Sequence, residues 1–330
     1  MIVIYITDAR EEYARTAFQE LGLPAGARVK LRYSEVWIQP PLRSGLKSNR
    51  LVGHDVLICY MDGNRGNLEN AKAVACRYAQ ITESEQVADF VSMECELRGF
   101  PSSPKLPDLF AATDSSGILS PGPRSGSFVV NADISSEEML TDTGPDRWGV
   151  VAGLMTECSF FAAASFLYCE SLTKFHGQRV PCQNGTFRFK ANEMIRARIH
   201  TFAITNESRL HNYKIQVDDS SIETIDDPVI SLTFGREVFD VRLLAISSSR
   251  PRPSQIRVEP GPGENGSFFT ISIHVTPRRL AATIRRLAIS VSGAAAATAG
   301  ILPSTIPLGV RIALIVVGSL GLGLSARPGS

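Results

Sequence analysis

Apolar and polar residues alternate in short runs between residues 185 and 277, which is the pattern of strands with one buried and one solvated face. The alternation is sharpest at residues 194–202, where Ile195, Ala197 and Ile199 alternate with Arg196, Arg198 and His200. Seven such runs are separated by turn residues: TFRFKA, MIRARIHTFAI, YKIQVDD, VISLTFG, EVFDVRLLAI, QIRVEP and FFTISIHVTP. Seven short strands predict an immunoglobulin-like β-sandwich at about 185–277, although the Cys–Trp–Cys framework of antibody domains is missing.

Residues 1–100 mix one helical pattern with several strand-like runs. MIVIYIT predicts an opening strand, and the segment that follows Asp8 predicts an amphipathic helix that stops at Gly22. The later runs, including HDVLICYMDG and ADFVSMECELRGF, alternate or stay apolar as strands do. This segment therefore predicts a small α+β domain or a partly open, barrel-like one.

The middle of the chain begins with a linker or long loop at 101–127, which is rich in Pro, Ser and Gly. Residues 128–277 form a mainly β region that ends in the predicted sandwich. Within it, DRWGVVAGLMTE predicts a short helix, and FFAAASFLYCESLTKF favours a strand over a helix. We expect Trp148, at the start of that helix, to anchor the core.

Two apolar blocks, 287–302 and 307–326, follow the predicted sandwich and are joined by PSTIP. The second block reaches the roughly 20 residues that a membrane-spanning helix needs, and the first is shorter and rich in Ala. Neither block has a polar stripe, so we expect a C-terminal transmembrane helical hairpin at 287–326. The alternatives are a single span beside an amphipathic helix, and a hairpin buried in a soluble fold. Small residues and one charge are expected to pack the two helices together: Gly293, Ala297, Arg311, Gly318 and Gly321.

Four arginines mark a basic juxtamembrane segment at 278–286, where contact with anionic headgroups is expected: Arg278, Arg279, Arg285 and Arg286. The linker between the two apolar blocks carries no charge, so the positive-inside rule places both termini in the cytoplasm. The opening residues lack the basic region and cleavage site of a signal peptide. The sequence therefore predicts a multi-pass protein of the cell membrane.

Charge and cysteine usage narrow the classes of partner. Residues 1–277 hold 28 basic and 33 acidic residues, and such a mildly acidic part argues against nucleic-acid binding. The six cysteines are scattered, with no CxxC pair and no zinc spacing, and most lie in apolar runs. We expect them to pack as small hydrophobic residues.

No motif in the chain names a reaction, a metal or a cofactor, so neither a metal nor a cofactor is expected. The loop 61–67 resembles part of a calcium loop but fits a β-hairpin turn better. The acidic pairs at 218–219 and 226–227 are expected to be solvated loops. An enzyme is disfavoured, and its site would have to use residues such as His54, Asp55 or Asp62.

The sequence therefore favours a membrane-anchored, cytoplasm-facing protein that binds or senses an unidentified protein or small-molecule ligand. One alternative is a membrane-disrupting or channel-forming effector of a bacterial immune system, in which the soluble part senses a signal and the hairpin forms a homo-oligomer. The other is an enzyme with an unrecognised site in the N-terminal half. In the first two hypotheses the lipid bilayer is itself a partner.

Overall fold

A computed structural model describes most of the chain before residue 278. The described ranges are 2–7, 11–64, 67–102, 129–132, 140–203, 211–218, 220–232, 235–246, 250–262 and 266–277. The predicted hairpin at 287–326, the basic segment 278–286 and nearly all of the predicted linker lie outside these ranges. Within them the chain is mostly β, with few helices and no closed sheet.

The N-terminal half builds a seven-stranded sheet. Its strands are β1 (Ile2–Thr7), β2 (Arg28–Ser34), β3 (Asp55–Asn64), β4 (Asn67–Val87), β5 (Phe90–Ser102), β6 (Val129–Ala132) and β7 (Leu140–Asp142). The order is β2-β5-β4-β3-β1-β6, and β7 pairs with the end of β5. β1 runs parallel to β3, and the other pairs are antiparallel. No further strand pairs with β2 or β6 among the described residues, so this sheet is not closed there. The segment combines many strands with few helices.

Three α-helices accompany this sheet in the described ranges: α1 (Glu11–Gly22), α2 (Pro40–Lys47) and α3 (Pro145–Thr156). α1 ends at Gly22 as predicted, and a Cβ there would lie 2.2 Å from a ring carbon of Phe269. The glycine therefore permits close packing as well as ending the helix. α2 was not predicted. It begins with proline in its first turn and buries Leu42 and Leu46, one turn apart.

The C-terminal half forms a six-stranded and a four-stranded sheet. Its strands are β8 (Phe166–Lys174), β9 (Cys182–Gln183), β10 (Thr186–Lys190), β11 (Met194–Ala203), β12 (His211–Val217), β13 (Ile222–Thr224), β14 (Val229–Leu232), β15 (Gly235–Ala245), β16 (Arg252–Pro260) and β17 (Phe269–Thr276). The orders are β14-β12-β16-β17-β10-β9 and β13-β15-β11-β8. All seven predicted strands are confirmed.

Side chains from both C-terminal sheets meet in one buried core. Along β11 the inward residues Ile195, Ala197 and Ile199 are buried while the intervening arginines are exposed. Ile271 and Ile273 of β17, in the other sheet, belong to the same cluster. The two sheets therefore share one core, which continues into residues of the seven-stranded sheet, and we refer to this two-sheet unit below as the sandwich.

The predicted strand at residues 160–175 is only half right. Ser159–Phe161 forms a short 3₁₀ turn, and β8 begins at Phe166. The side chain of Asp62 holds the start of the turn, because its carboxylate accepts hydrogen bonds from the Ser159 backbone N (2.7 Å) and Oγ (2.8 Å). Phe161 is fully buried, so the turn places its ring in the core although it does not continue the strand.

Among the described residues, no helix combines the length and the apolar character that crossing a bilayer requires.

Candidate functional site at the junction of the two β units

α1 and α3 lie between the seven-stranded sheet and the sandwich, contacting strands of both units. Their buried side chains meet those of β3, β4, β5 and β8 in a second core, which we call the junction cluster. Its largest members are Phe18, Tyr60, Phe100, Trp148, Phe161, Phe166 and Tyr168. Trp148 is 1% exposed and stacks on Tyr168 with ring centres 5.6 Å apart, so its predicted role as a core anchor is confirmed.

Arg77, on β4, points into this aromatic core and is fully buried. Its guanidinium carbon lies 4.1 Å from the centre of the Phe100 ring and 5.6 Å from that of Tyr168. None of its three side-chain nitrogens has the distance and angle of a full hydrogen bond to a described residue, and the Tyr168 side chain is the main polar group that interacts with the guanidinium. Burial lowers the pKa of Arg77, an effect that the nearby Tyr168 and Glu20 oppose. Arginine nevertheless stays charged in proteins, so the aromatic faces are the main stabilising surroundings of a buried cation.

Glu20, on α1, is the acidic counterpart of Arg77 in the same region and is 1% exposed. Burial raises the pKa of Glu20 to about 8, although the positive charge of Arg77 opposes the shift. At neutral pH the carboxyl group is therefore mostly protonated. Its Oε1 atom forms no hydrogen bond with another described residue. The junction thus holds a cation and a titratable acid where a purely apolar core would pack with less desolvation cost.

The cysteines near the junction have no nucleophilic character. Burial and the neighbouring Glu20 raise the pKa values of Cys59 and Cys76, and the Cys76 thiol lies 3.6 Å from the sulfur of Met155. A thiol must lose its proton to act as a nucleophile. Five of the six cysteines are buried, as predicted for small core residues, and Cys182 is half-buried.

A small pocket of about 120 Å³ opens beside the junction, between the loop after α1, the residues before α3 and strands β8 and β10. Its polar lining includes Glu170, Arg179 and Cys182. The Glu170 carboxylate accepts a hydrogen bond from His200 Nε2 at 2.7 Å and also lies 3.6 Å from Nε of Arg198. Burial raises the pKa of the Cys182 thiol to about 11. The pocket suits the tip of a polar side chain or a few waters, since drug-sized ligands need roughly 300 Å³ or more.

The three residues considered for an enzyme site do not converge. Asp55 and Asp62 lie near opposite ends of β3, and His54 precedes Asp55. Seven steps along an extended strand separate their Cα atoms by about 23 Å. Asp62 is engaged by Ser159, so its carboxylate has a capping role in this structure.

The acidic pairs of the sandwich are used in ion pairs and turns. Asp226 binds the Arg242 guanidinium at 2.5 Å, the backbone N of Val229 donates to the Asp227 carboxylate at 2.9 Å, and Asp218 lies 3.2 Å from a guanidinium nitrogen of Arg257. No group of three metal-binding side chains occurs in the part of the chain that the structure describes. The hairpin around residues 61–67 is confirmed by the pairing of Asn64 with Asn67.

The residues singled out for membrane contact lie outside the described ranges. These are the arginines Arg278, Arg279, Arg285 and Arg286, and the helix-packing residues Gly293, Ala297, Arg311, Gly318 and Gly321. Arg77 and Glu20, conversely, were missed by the sequence reasoning. The one available signal for Arg77 was its place in AVACRYA, a strand-like run whose other members are apolar.

No family model and no curated protein matches the chain. Solved structures give partial similarities. A FixG-related protein from Vibrio parahaemolyticus is 12% identical, with a TM-score of 0.23 over 34% of this chain and 96% of that one. The CsuC–CsuE chaperone–tip adhesion subunit complex from Acinetobacter baumannii is 15% identical, with a TM-score of 0.21 over 28% and 48%. A GH5 xyloglucanase from Bacteroides ovatus is 14% identical, with a TM-score of 0.20 over 33% and 19%.

The chain therefore spans about half of the adhesion-complex chain and about a fifth of the xyloglucanase. These TM-scores are too low for the similarities to carry any argument about fold or function.

Proposed function

We propose that this chain is a membrane-anchored, cytoplasm-facing binding or sensing protein. The observation that carries the proposal is the pair of apolar blocks at 287–302 and 307–326, preceded by four arginines and followed by no acidic residue. β17 ends at Thr276, only ten residues before the first block, so the anchor would follow the sandwich almost directly. The hairpin would lie in the cell membrane with both termini in the cytoplasm.

The C-terminal unit is proposed to be an immunoglobulin-like sandwich that binds its partner through loops or edge strands. Two open sheets with alternating buried and exposed residues support this proposal. The edges of the six-stranded sheet are β14 and β9, and an exposed edge can accept an added strand from a partner. The described residues bring no nucleophile, base and orienting group together, which favours binding over chemistry.

The junction is proposed to be the part through which binding is sensed. Arg77 and Glu20 keep a charge and a proton-exchanging group between the two β units, and buried polar pairs of this kind can specify one arrangement of the elements around them. A ligand that changed the packing of α1 or α3 would thereby change the position of the seven-stranded sheet relative to the sandwich. The sandwich would transmit that change to the anchor.

Protease accessibility in sealed membrane vesicles tests the proposed orientation. In inverted vesicles of an expressing bacterial strain, added protease should reach the part before residue 278. In right-side-out vesicles that part should be protected, with a periplasmic marker protein cut as the control. Digestion of the soluble part only from the outer side would contradict the cytoplasmic orientation.

A channel-forming hairpin is the second candidate. It is favoured by the small residues Gly293, Ala297, Gly318 and Gly321 and by Arg311 within an apolar block, since such a surface suits helix packing around a polar path. A membrane-potential dye separates it from a passive anchor. Depolarisation on induced expression, lost in the variant Arg311→Leu, supports a channel, whereas an unchanged potential supports the anchor.

A further inference from the structure

The strand register defines the end of the sandwich from which the chain leaves β17. Parallel β10 places Lys190 beside Thr276, and antiparallel β16 places Arg252 beside Val275. From Thr276 the chain continues into the basic segment 278–286. We call this part of the sandwich, together with the turn that follows β8, the exit end.

Contacts join the turn after β8 to the point where β17 ends. Lys174, the last residue of β8, lies 3.3 Å from the carboxylate of Glu193 in the β10–β11 turn. In the same turn the backbone N of Ala191 donates to the carbonyl of Thr276 at 2.8 Å. Phe175 follows Lys174 directly, so its ring is on the same end of the sandwich as the chain exit.

The exit end combines an exposed aromatic ring with exposed cations. Phe175 is 66% exposed, more than any other large apolar side chain among the described residues. Lys190, Arg250 and Arg252 are exposed as well. Lys190 and Arg252 belong to the two strands that flank β17, so their charges lie on either side of the exit.

Two acidic residues at this end form ion pairs, and an exposed third, Glu223, lies on β13 at the edge of the other sheet away from β8. Glu193 is paired with Lys174, and Asp218 is paired with Arg257. Asp218 follows β12, which lies on the far side of β16 from β17. The immediate surroundings of the exit are therefore basic.

We infer that the exit end docks onto the surface of a bilayer that contains anionic phospholipid, with Phe175 at the headgroup boundary and Lys190 and Arg252 against phosphates. Aromatic rings and cations are the residues that proteins place at this boundary. The inference rests on the proposed function, because it takes the hairpin to be the anchor. The anchor alone would not enforce docking, since an extended segment of ten residues reaches about 33 Å, well beyond the screening length of about 8 Å at physiological salt.

Tryptophan quenching in reconstituted vesicles tests the docking. The full chain carrying Phe175→Trp is reconstituted in phosphatidylcholine vesicles, either pure or with roughly 30 mol% phosphatidylglycerol. For each lipid mixture, tryptophan fluorescence is compared between vesicles with and without brominated acyl chains. Val238→Trp, at a position 50% exposed on β15, is the matched control. The unsubstituted chain supplies the signal of Trp37 and Trp148, and far-UV circular dichroism verifies that each variant is folded.

We expect quenching at position 175 at least about twofold above that at position 238 in the anionic vesicles. Adding Lys190→Glu and Arg252→Glu to the Phe175→Trp chain should lower the quenching to the control level, and about 0.5 M salt should reduce it in the same direction. Equal quenching at the two positions in a chain that stays with the vesicles would overturn the docking and leave the anchor standing. A second outcome would also overturn the docking: a blue shift in the emission of the Phe175→Trp chain that grows with protein density and occurs without bromine quenching. That result would show that a second copy of the chain covers position 175. Failure of the unsubstituted chain to enter vesicles would instead refute the proposed function.

Discussion

The guanidinium carbon of Arg77 lies 4.1 Å from the centre of the Phe100 ring, inside the junction cluster, where Tyr168 supplies its main polar interaction. β4 and β5 bring the two residues together, and Tyr168 of β8 adds a second ring from the sandwich side. The contact therefore spans the junction of the two β units. Two opposing free energies act on this contact. A desolvated cation over an aromatic ring gains about 2 kcal/mol, whereas burying the charge costs several.

The first prediction concerns the two sides of this contact. Phe100→Ala should lower the free energy of unfolding by about 3–5 kcal/mol, because it removes a fully buried ring and leaves a cavity. Arg77→Met should change it by no more than about 1 kcal/mol at pH 6, because the lost aromatic contact is offset by the relieved desolvation. Urea unfolding followed by circular dichroism measures both. A loss above about 3 kcal/mol for Arg77→Met would show that the guanidinium has stabilising polar partners.

The second prediction concerns pH. The pKa of Glu20 is raised from 4.5 to about 8 in the folded chain, so between these values the folded chain keeps a proton that the unfolded chain has released. The free energy of unfolding should therefore fall as pH rises through this interval. Glu20→Gln should match the parent near pH 4.5 and exceed it by a few kcal/mol at pH 9, since each pKa unit corresponds to about 1.4 kcal/mol.

Glu83→Gln, an exposed site, is the control for this pH series, because it changes the same functional group outside the core. Its difference from the parent at each pH is the baseline against which Glu20→Gln is compared. If Glu20→Gln behaved in the same way as Glu83→Gln, Glu20 would have an ordinary pKa and would not be buried as described.

The third prediction concerns the β4–β5 hairpin. Ala88 has φ +53°, a left-handed conformation that costs a residue with a Cβ about 1–2 kcal/mol. Ala88→Gly should stabilise the chain by about 0.5–1 kcal/mol after the entropic cost of glycine is included. Gly177→Ala is the reverse substitution at a site of the same kind, because Gly177 has φ +80° and nothing lies within 4 Å of an added Cβ. Any loss of stability in this variant would therefore come from the backbone conformation alone. A stability unchanged by both substitutions would contradict the assigned backbone conformations.

The fourth prediction separates the capping role of Asp62 from a catalytic one. Asp62→Ala should lower the free energy of unfolding by about 0.5–2 kcal/mol, because it removes the acceptor of the Ser159 backbone N. Asp62→Asn retains one side-chain acceptor oxygen and should lose less. Thermal unfolding of the three chains measures the difference, and an asparagine variant as unstable as the alanine variant would contradict the capping account.

The sequence predicts strands well where one face of a sheet is solvated. In β11 the buried Ile195 and Ile199 alternate with exposed arginines, so the period of two is visible without any structure. In β4, by contrast, residues 74–79 are all buried, because α1 and α3 cover one face and the core of the sheet the other. Arg77 therefore occupies a position whose burial depends on tertiary packing, and its place in an apolar run is the one local sign of that burial.

The other misses have the same origin. α2 is a helix of eight residues that contains a glycine, and it is held by burial of Leu42 and Leu46, which local propensity does not reveal. The break before β8 depends on Asp62, which lies 97 residues before Ser159 in the chain. The junction pocket likewise brings together segments that are distant in sequence. Sequence reasoning thus predicted the strands of the sandwich and the burial of Trp148, and missed Arg77 and Glu20 at the junction with the seven-stranded sheet.

Alkaline carbonate extraction of membranes from cells expressing the full chain tests the central claim most directly. We predict that the full chain stays in the pellet, whereas a chain ended after Pro277 appears in the supernatant. Ile315→Arg, which adds a charge near the centre of the second block at a cost of about 2.5–3.5 kcal/mol of insertion, should weaken retention, and Ile315→Leu should not. Recovery of the full chain in the supernatant would contradict the account, because residues 287–326 would then not be embedded in lipid.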